Sequence, residues 1–128
     1  AGITEYTIPD SVTEIGNNAF CACTSLTSVN IGDSVTRIGS SAFEYCDSLT
    51  SVNIPDSVTT IGEGAFLACN SLTSVYCKAT TPPALGDTSV FDDNGSGRTI
   101  YVPAEAIEAY KSATRWNEYA SAIVGYNF

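Results

Sequence analysis

The chain has 128 residues, 44% of them hydrophobic and 15% charged, which is typical of one folded domain. Fourteen acidic residues stand against five basic ones with no histidine, a formal charge of −9, and this disfavours nucleic acid and anionic lipid as partners. No apolar run approaches the ~20 residues that cross a bilayer, so we expect no transmembrane segment, and no leader peptide is visible.

The first segment, ITEYTIP from Ile3 to Pro9, aligns with LTSVNIG from Leu26 and LTSVNIP from Leu49. It reads as the second half of a repeat whose first half is missing. The chain also contains no Met, so we expect a mature or trimmed fragment from which upstream repeats have been removed. A repeat array that starts here by design is the alternative, although a natural end is expected to carry a polar cap.

Three closely matching stretches of 23 residues follow one another. They read IPDSVTEIGNNAFCACTSLTSVN, IGDSVTRIGSSAFEYCDSLTSVN and IPDSVTTIGEGAFLACNSLTSVY, and begin at Ile8, Ile31 and Ile54. A fixed period of this length predicts a solenoid, in which each unit buries its apolar side against its neighbours. We place the repeat units at about 3–30, 31–53 and 54–76.

Each repeat is expected to contain two short strands and a short helical turn. In LTSVNI the residues Leu26, Val29 and Ile31 point inward, and Ser28 and Asn30 point outward. In SVTxIG the inward residues of the second strand precede a recurring glycine, which indicates a turn or a close backbone approach. The spacing of xxAFxxC then fits one helical or 3₁₀ turn, with the phenylalanines forming one interior row, namely Phe20, Phe43 and Phe66.

Three of the five cysteines, Cys23, Cys46 and Cys69, lie one repeat apart and are expected to stack at about the strand spacing of ~4.8 Å. That distance permits a disulfide between neighbours, but three thiols cannot all pair, and we interpret them as small core residues. A metal site is disfavoured because there is neither a histidine nor a C-x-x-C pair. Cys21 is expected to be exposed and Cys77 to be buried.

The pattern weakens after Tyr76. Residues 77–91 form a degenerate repeat with insertions, where Pro82 and Pro83 forbid an ordinary strand ladder. A turn in FDDNGSG, a strand from Thr99 to Val102, a helix opened by Pro103, a second short helix and a last strand from Ala122 to Tyr126 follow. We therefore expect a solenoid over residues 1–91, and over residues 92–128 a small α/β cap continuous with it.

The repeated pattern I-P-x-S-V-T-x-I-G-x-x-A-F-x-x-C-x-S-L, followed by L-x-x-V-x-I, resembles the BspA-like, or Treponema pallidum type, leucine-rich repeat. The resemblance covers Ile3 to about Tyr76. It implies a curved, right-handed coil in a cell-surface or secreted protein that adheres to host or matrix proteins or to other microbes. The run YVPAEAIEAYK with a following Trp resembles the C-terminal cap of gut Bacteroidetes members of that family, whose role would be to cover the last coil.

A concave strand face is the natural binding surface of such a solenoid. Its outward residues are short hydrogen-bonding groups and one tyrosine, and they form two predicted rows: Glu5, Ser28, Ser51 and Ser74; Thr7, Asn30, Asn53 and Tyr76. These rows could bind a host or matrix protein or a surface glycan. The alternative is that they only solubilise the sheet and pair across strands. We expect a monomer or part of a longer repeat array.

Other sites find less support. Asp92, Asp93 and Asn94 begin like a calcium loop, but the twelfth position is Pro103 rather than Glu, so an Asn-Gly turn is favoured and no cofactor is expected. Without histidine, a Ser or Cys nucleophile lacks its commonest base, so we expect no enzyme. Glu14 and Arg37 share a phase and predict a surface ion pair.

A spacer or terminal cap of a longer surface protein, with its ligand site upstream, is the alternative function.

Overall fold

The computed structural model describes residues 4–128, so the predicted start of the first repeat at Ile3 lies outside the described residues. Two parallel sheets run along the molecule. The six-stranded sheet contains, in spatial order, β1 (Glu5–Thr7), β3 (Ser28–Asn30), β5 (Ser51–Ile54), β7 (Ser74–Cys77), β9 (Thr99–Pro103) and β10 (Ile123–Tyr126). The four-stranded sheet contains, in spatial order, β2 (Glu14–Ile15), β4 (Arg37–Ile38), β6 (Thr60–Ile61) and β8 (Ala84–Leu85). Along the chain, strands of the two sheets alternate as far as β9.

Strand register follows the 23-residue period. Val29 pairs with Val52 and Val52 with Val75, while Ile38 pairs with Ile61, so equal phases of successive repeats lie side by side. The sheet continues past the third repeat, where β7 pairs with β9 despite the intervening insertion. These parallel ladders fit a solenoid, in which one repeat makes one coil.

The core runs between the two sheets. The predicted inward residues of the central repeats are buried, among them Val35, Ile38, Leu49 and Val52, each fully inaccessible. The phenylalanines form one stacked row, with ring centroids 5.1 Å apart from Phe20 to Phe43 and 5.1 Å from Phe43 to Phe66. Phe91 of the degenerate repeat extends the row at 5.6 Å. The predicted interior row is therefore confirmed and gains one member.

The predicted helical turn in each repeat is wrong. Ser41 and Tyr45 have positive φ, as do residues at the same phases in the neighbouring coils, so the chain forms successive tight turns. The Phe43 N–H donates across to the Ala65 carbonyl of the next coil at 2.8 Å, whereas the Cys46 N–H closes a local turn on the Phe43 carbonyl. A helix would use both N–H groups within one coil. Hydrogen bonds to the next coil, alternating with local turn bonds, therefore replace the helix.

The C-terminal segment, residues 92–128, packs on the end of the solenoid. It contains β9 and β10, a helix α1 (Ile107–Ser112) and 3₁₀ helices at Ala104–Ala106 and Trp116–Ala122. The Trp116 Nε1–H donates to the Pro83 carbonyl at 2.7 Å, and the Tyr110 hydroxyl donates to the Ala79 carbonyl at 2.6 Å. Trp116 and Tyr110 are completely buried. This segment thus supplies aromatic rings where a further repeat would otherwise lie.

The first coil is covered less well. Tyr6 takes the phase of the buried Val29 but is 37% exposed, while Ile8 is buried. Cys21, predicted to be exposed, is half-buried, and Cys77 is buried as predicted. Burial at a given phase therefore depends on the coil in which the residue lies.

Candidate binding face

The outer side of the six-stranded sheet brings together all eight residues singled out from the sequence. Because side chains alternate along a strand, the residues on either side of the buried valines point away from the core. Two rows result, which we call the serine row and the asparagine row. The serine row is Glu5, Ser28, Ser51 and Ser74, and the asparagine row is Thr7, Asn30, Asn53 and Tyr76. Their role in binding stays a prediction.

The two rows differ in accessibility. In the serine row Glu5 is exposed and the three serines are half-buried. In the asparagine row Thr7 and Asn30 are exposed, and Asn53 and Tyr76 are half-buried. The asparagine row therefore has two exposed members, against one in the serine row.

The hydroxyl groups of a neighbouring row of threonines form hydrogen bonds within the solenoid. The Thr27 hydroxyl donates to the Thr4 carbonyl at 2.8 Å, and the Thr50 hydroxyl donates to the Thr27 carbonyl at 3.1 Å. Thr73 repeats the contact on Thr50 at 3.5 Å. These hydroxyls link successive coils.

Asn30 and Asn53 form the polar part of that row. The Asn53 Nδ2 group donates to Oδ1 of Asn30 at 2.9 Å. Each amide carries two N–H donors and one carbonyl acceptor, so this bond leaves an N–H and the carbonyl oxygen of Asn53, and both N–H groups of Asn30, for a ligand. The bond also holds the two amides in a fixed relative orientation, which reduces the entropy lost on binding.

Aromatic rings follow the amides along the same row. Tyr76 stacks on Tyr101 with ring centroids 4.8 Å apart and planes 12° from parallel. Tyr126 meets both rings edge-on, at 5.5 Å and 5.4 Å, and Phe128 lies 4.9 Å beyond Tyr126. We call Tyr76, Tyr101, Tyr126 and Phe128 the tyrosine cluster. Tyr126 and Phe128 are 44% and 50% exposed, so the cluster is an accessible aromatic surface.

Sequence reasoning missed most of this cluster. It singled out Tyr76, but Tyr101, Tyr126 and Phe128 lie outside the regular repeats. The available signal was the run T-I-Y-V in β9. It matches T-S-V-Y of the third repeat only when Tyr101 is aligned with Tyr76. Tyr126 gave no such signal, because its place depends on the pairing of β10 with β9.

Two clefts lie beside the asparagine row and the tyrosine cluster. The first, the asparagine cleft, has a volume of about 310 Å³ and is lined by the polar side chains of Asn30, Asn53, Asp10, Asp33 and Lys78 above a floor that includes Gly32. The second, the tyrosine cleft, has a volume of about 250 Å³ and includes Glu105, Tyr126 and Phe128. Lys78 lines both clefts, so they are adjacent. Asp10, Asp33 and Lys78 were not predicted as site residues.

Cys46, Cys69 and Cys77 are buried in the core. The Cys46 thiol lies 3.1 Å from the Phe20 carbonyl and the Cys69 thiol 3.0 Å from the Phe43 carbonyl, so each is bonded to the preceding coil. The hydrogen bond with Cys46, together with burial, raises the pKa of the Cys69 thiol, and burial raises the pKa of Cys77 to about 11. The Cys69 and Cys77 thiols therefore stay protonated, and protonated thiols are poor nucleophiles and metal ligands. All five are free cysteines, and residues 4–128 contain no group of three or more potential metal ligands.

The remaining sequence-predicted sites also have structural partners. The Asn94 Nδ2 group donates to the Phe66 carbonyl at 2.9 Å, and Asp92 accepts a hydrogen bond from the Tyr119 hydroxyl at 2.9 Å. The predicted Asn94-Gly95 turn is wrong. The Arg98 N–H donates to the Gly95 carbonyl at 3.1 Å, so the turn has Ser96 and Gly97 at its centre, two residues further on. The predicted surface ion pair joins Arg37 to Glu14 at 3.7 Å.

Comparison with known proteins identifies the repeats. Residues 1–115 match a family model described as a BspA type leucine rich repeat region (6 copies). A solved structure of a leucine-rich cell surface protein from Faecalibacterium prausnitzii is similar, with 26% sequence identity and a TM-score of 0.51. The match covers 91% of this chain but 34% of that one, so the chain spans about a third of the length of this relative. No curated protein matches significantly. Among the described residues, none of the helices is long and apolar enough to span a membrane.

Proposed function

The chain belongs to the BspA-type leucine-rich repeat family, and from that premise we propose that it is a non-enzymatic binding module of a cell-surface or secreted protein. Its partners are proteins or glycans, which it contacts through the outer face of the six-stranded sheet. The cell-surface description of the structural relative supports this location.

One observation carries the proposal. The asparagine row passes directly into the tyrosine cluster, so amide groups with further hydrogen-bonding capacity and exposed aromatic rings occupy one continuous surface. Tyrosine provides large contact area with little conformational entropy to lose, and aromatic residues are enriched where proteins bind partners. A surface needed only for solubility would not require a cluster of rings that includes Tyr126 and Phe128.

A spacer or terminal cap is the second candidate. It is supported by Trp116, Tyr119 and Phe91, which pack together at the end of the solenoid with the Phe91 ring 5.6 Å from both others. Such packing protects the last coil and its strand edges from aggregation. The cap role of residues 92–128 and a binding role of the sheet are compatible, so the two functions differ only in whether the sheet itself contacts a partner.

The test is a pair of substitutions on the face, Ser51→Arg and Asn53→Arg. Each places a long charged side chain on the sheet without entering the core, so we expect binding of immobilised matrix proteins or glycans to fall at least about tenfold while the melting temperature is retained. Asn70→Arg, at an exposed site outside both rows, is the matched control. Binding that survives both face substitutions would instead support the spacer.

A further inference from the structure

The asparagine cleft has the size and chemistry of a small-molecule site. Its volume of about 310 Å³ is at the lower end of the range for ligand pockets, which is ~300–1,000 Å³. Gly32 lines the cleft and is buried, and the Cβ of any larger residue there would lie 2.7 Å from the Ile8 carbonyl oxygen of the previous coil. The cleft is therefore lined by backbone, and not by a side chain, at position 32.

The walls combine three kinds of hydrogen-bonding group. Asn30 and Asn53 supply donors and acceptors, Asp10 and Asp33 supply acceptors, and Lys78 supplies donors. A hydroxyl group both donates and accepts, so a ring that carries several neighbouring hydroxyls can satisfy all three kinds at once.

The aromatic surface lies in the right place to extend this site. Tyr76 follows Asn53 in the asparagine row, and Lys78 connects the cleft to Tyr126 and Phe128. A sugar ring has an apolar C–H face as well as polar hydroxyls, and such a face packs well on exposed aromatic side chains. The two clefts can therefore hold successive units of one chain.

Charge restricts the ligand further. Asp10 and Asp33 line the asparagine cleft, Glu105 lines the tyrosine cleft, and Lys78 is the basic residue between them. The whole chain carries a formal charge of −9. An anionic sugar would meet a field of its own sign, which lowers both affinity and association rate.

We infer that the asparagine cleft is a subsite for a neutral saccharide unit and that the tyrosine cleft takes the adjoining unit of the same oligosaccharide. This inference rests on the proposed function, since it names a partner for the same face. Asp33 and Asn30 form the polar contacts, and the tyrosine cluster packs against the sugar ring.

The experiment measures binding of the 128-residue chain to an array of immobilised neutral oligosaccharides of hexoses and N-acetylhexosamines, followed by calorimetry with the strongest ligand. We expect Asp33→Ala and Asn30→Ala to weaken binding about tenfold each, because each removes at least one hydrogen bond to the sugar. Asp56→Ala is the matched control, since Asp56 has the phase of Asp33 in the next coil but lies outside the cleft. It should leave the affinity within about twofold.

Three results would overturn the inference. The first is that the Asp33→Ala and Asp56→Ala variants bind the neutral oligosaccharide with equal affinity. The second is that uronic or sialic acid oligosaccharides bind as strongly as neutral ones, and the third is that a Lys- and Arg-rich peptide binds while neutral sugars do not. If no saccharide binds but Ser51→Arg still abolishes binding of a matrix protein, the saccharide subsite is wrong and the proposed binding face stands. Thermal unfolding of each variant separates loss of binding from loss of fold.

Discussion

The two ends of the phenylalanine row have the same kind of ring in different surroundings. At the first coil, Phe20 is only partly buried and packs on the exposed Tyr6 at 5.8 Å. At the other end, Phe91 is fully buried between Phe66 and the rings of Trp116 and Tyr119. We call these the open end and the closed end. The difference shows that a repeat phase sets the direction of a side chain, whereas the next layer sets its burial.

The largest expected effect contrasts the interior of the row with the open end. Phe43→Ala should lower the free energy of unfolding by about 3–5 kcal/mol, because Phe43 is fully buried between two stacked rings. Phe20→Ala should cost only about 1–2 kcal/mol, because part of its ring is already in water. Chemical denaturation measures both, with the exposed Asp47→Ala as control. Equal losses at the two phenylalanines would contradict the comparison.

The second prediction concerns pH at the closed end. Burial raises the pKa of the Cys77 thiol from 9.0 to about 11, against an opposing hydrogen bond to Tyr110. The unfolded thiol ionises near pH 9 while the folded one keeps its proton, so this stabilisation is complete below pH 9 and is lost as the pH rises from 9 to 11.

Unfolding free energies at pH 8 and pH 10.5 measure this effect. Cys77→Val is the comparison variant, since the same phase carries isoleucine in the three repeats before it. The decrease between the two pH values should be about 2 kcal/mol larger in the wild type than in Cys77→Val. An identical decrease in both proteins would show that Cys77 does not carry the pH dependence.

The smallest effect contrasts a tyrosine at each end. The Tyr110 hydroxyl donates to the Ala79 carbonyl at 2.6 Å and contacts the Cys77 thiol at 3.3 Å. Tyr110→Phe leaves that buried carbonyl without its partner, which should cost about 1–2 kcal/mol in the free energy of unfolding. Tyr6→Phe at the open end should change it by less than about 0.5 kcal/mol. A loss of similar size at Tyr6 would mean that its hydroxyl is also bonded in solution.

The sequence predicted those parts of the fold that repeat. Phe20, Phe43 and Phe66 line up because they are 23 residues apart, and the outward residues Asn30 and Asn53 follow from strand alternation in the same way. The prediction of a helical turn at Ala42–Cys46 failed for a physical reason. The spacing of apolar residues fits either a helix or a series of tight turns, and the hydrogen bond from Phe43 to the next coil decides between them.

Period and alternation by themselves determined the solenoid, its interior row and the two polar rows, because one repeat can bury its apolar side only against a copy in register. Only the tertiary structure decided the tyrosine cluster, the two clefts beside it and the contrast between the ends. Tyr101, Tyr126 and Lys78 come from segments without the regular repeat, so their positions depend on how β9 and β10 pair with the last coil. The tyrosine cluster thus lies where the repetition ends and long-range packing takes over.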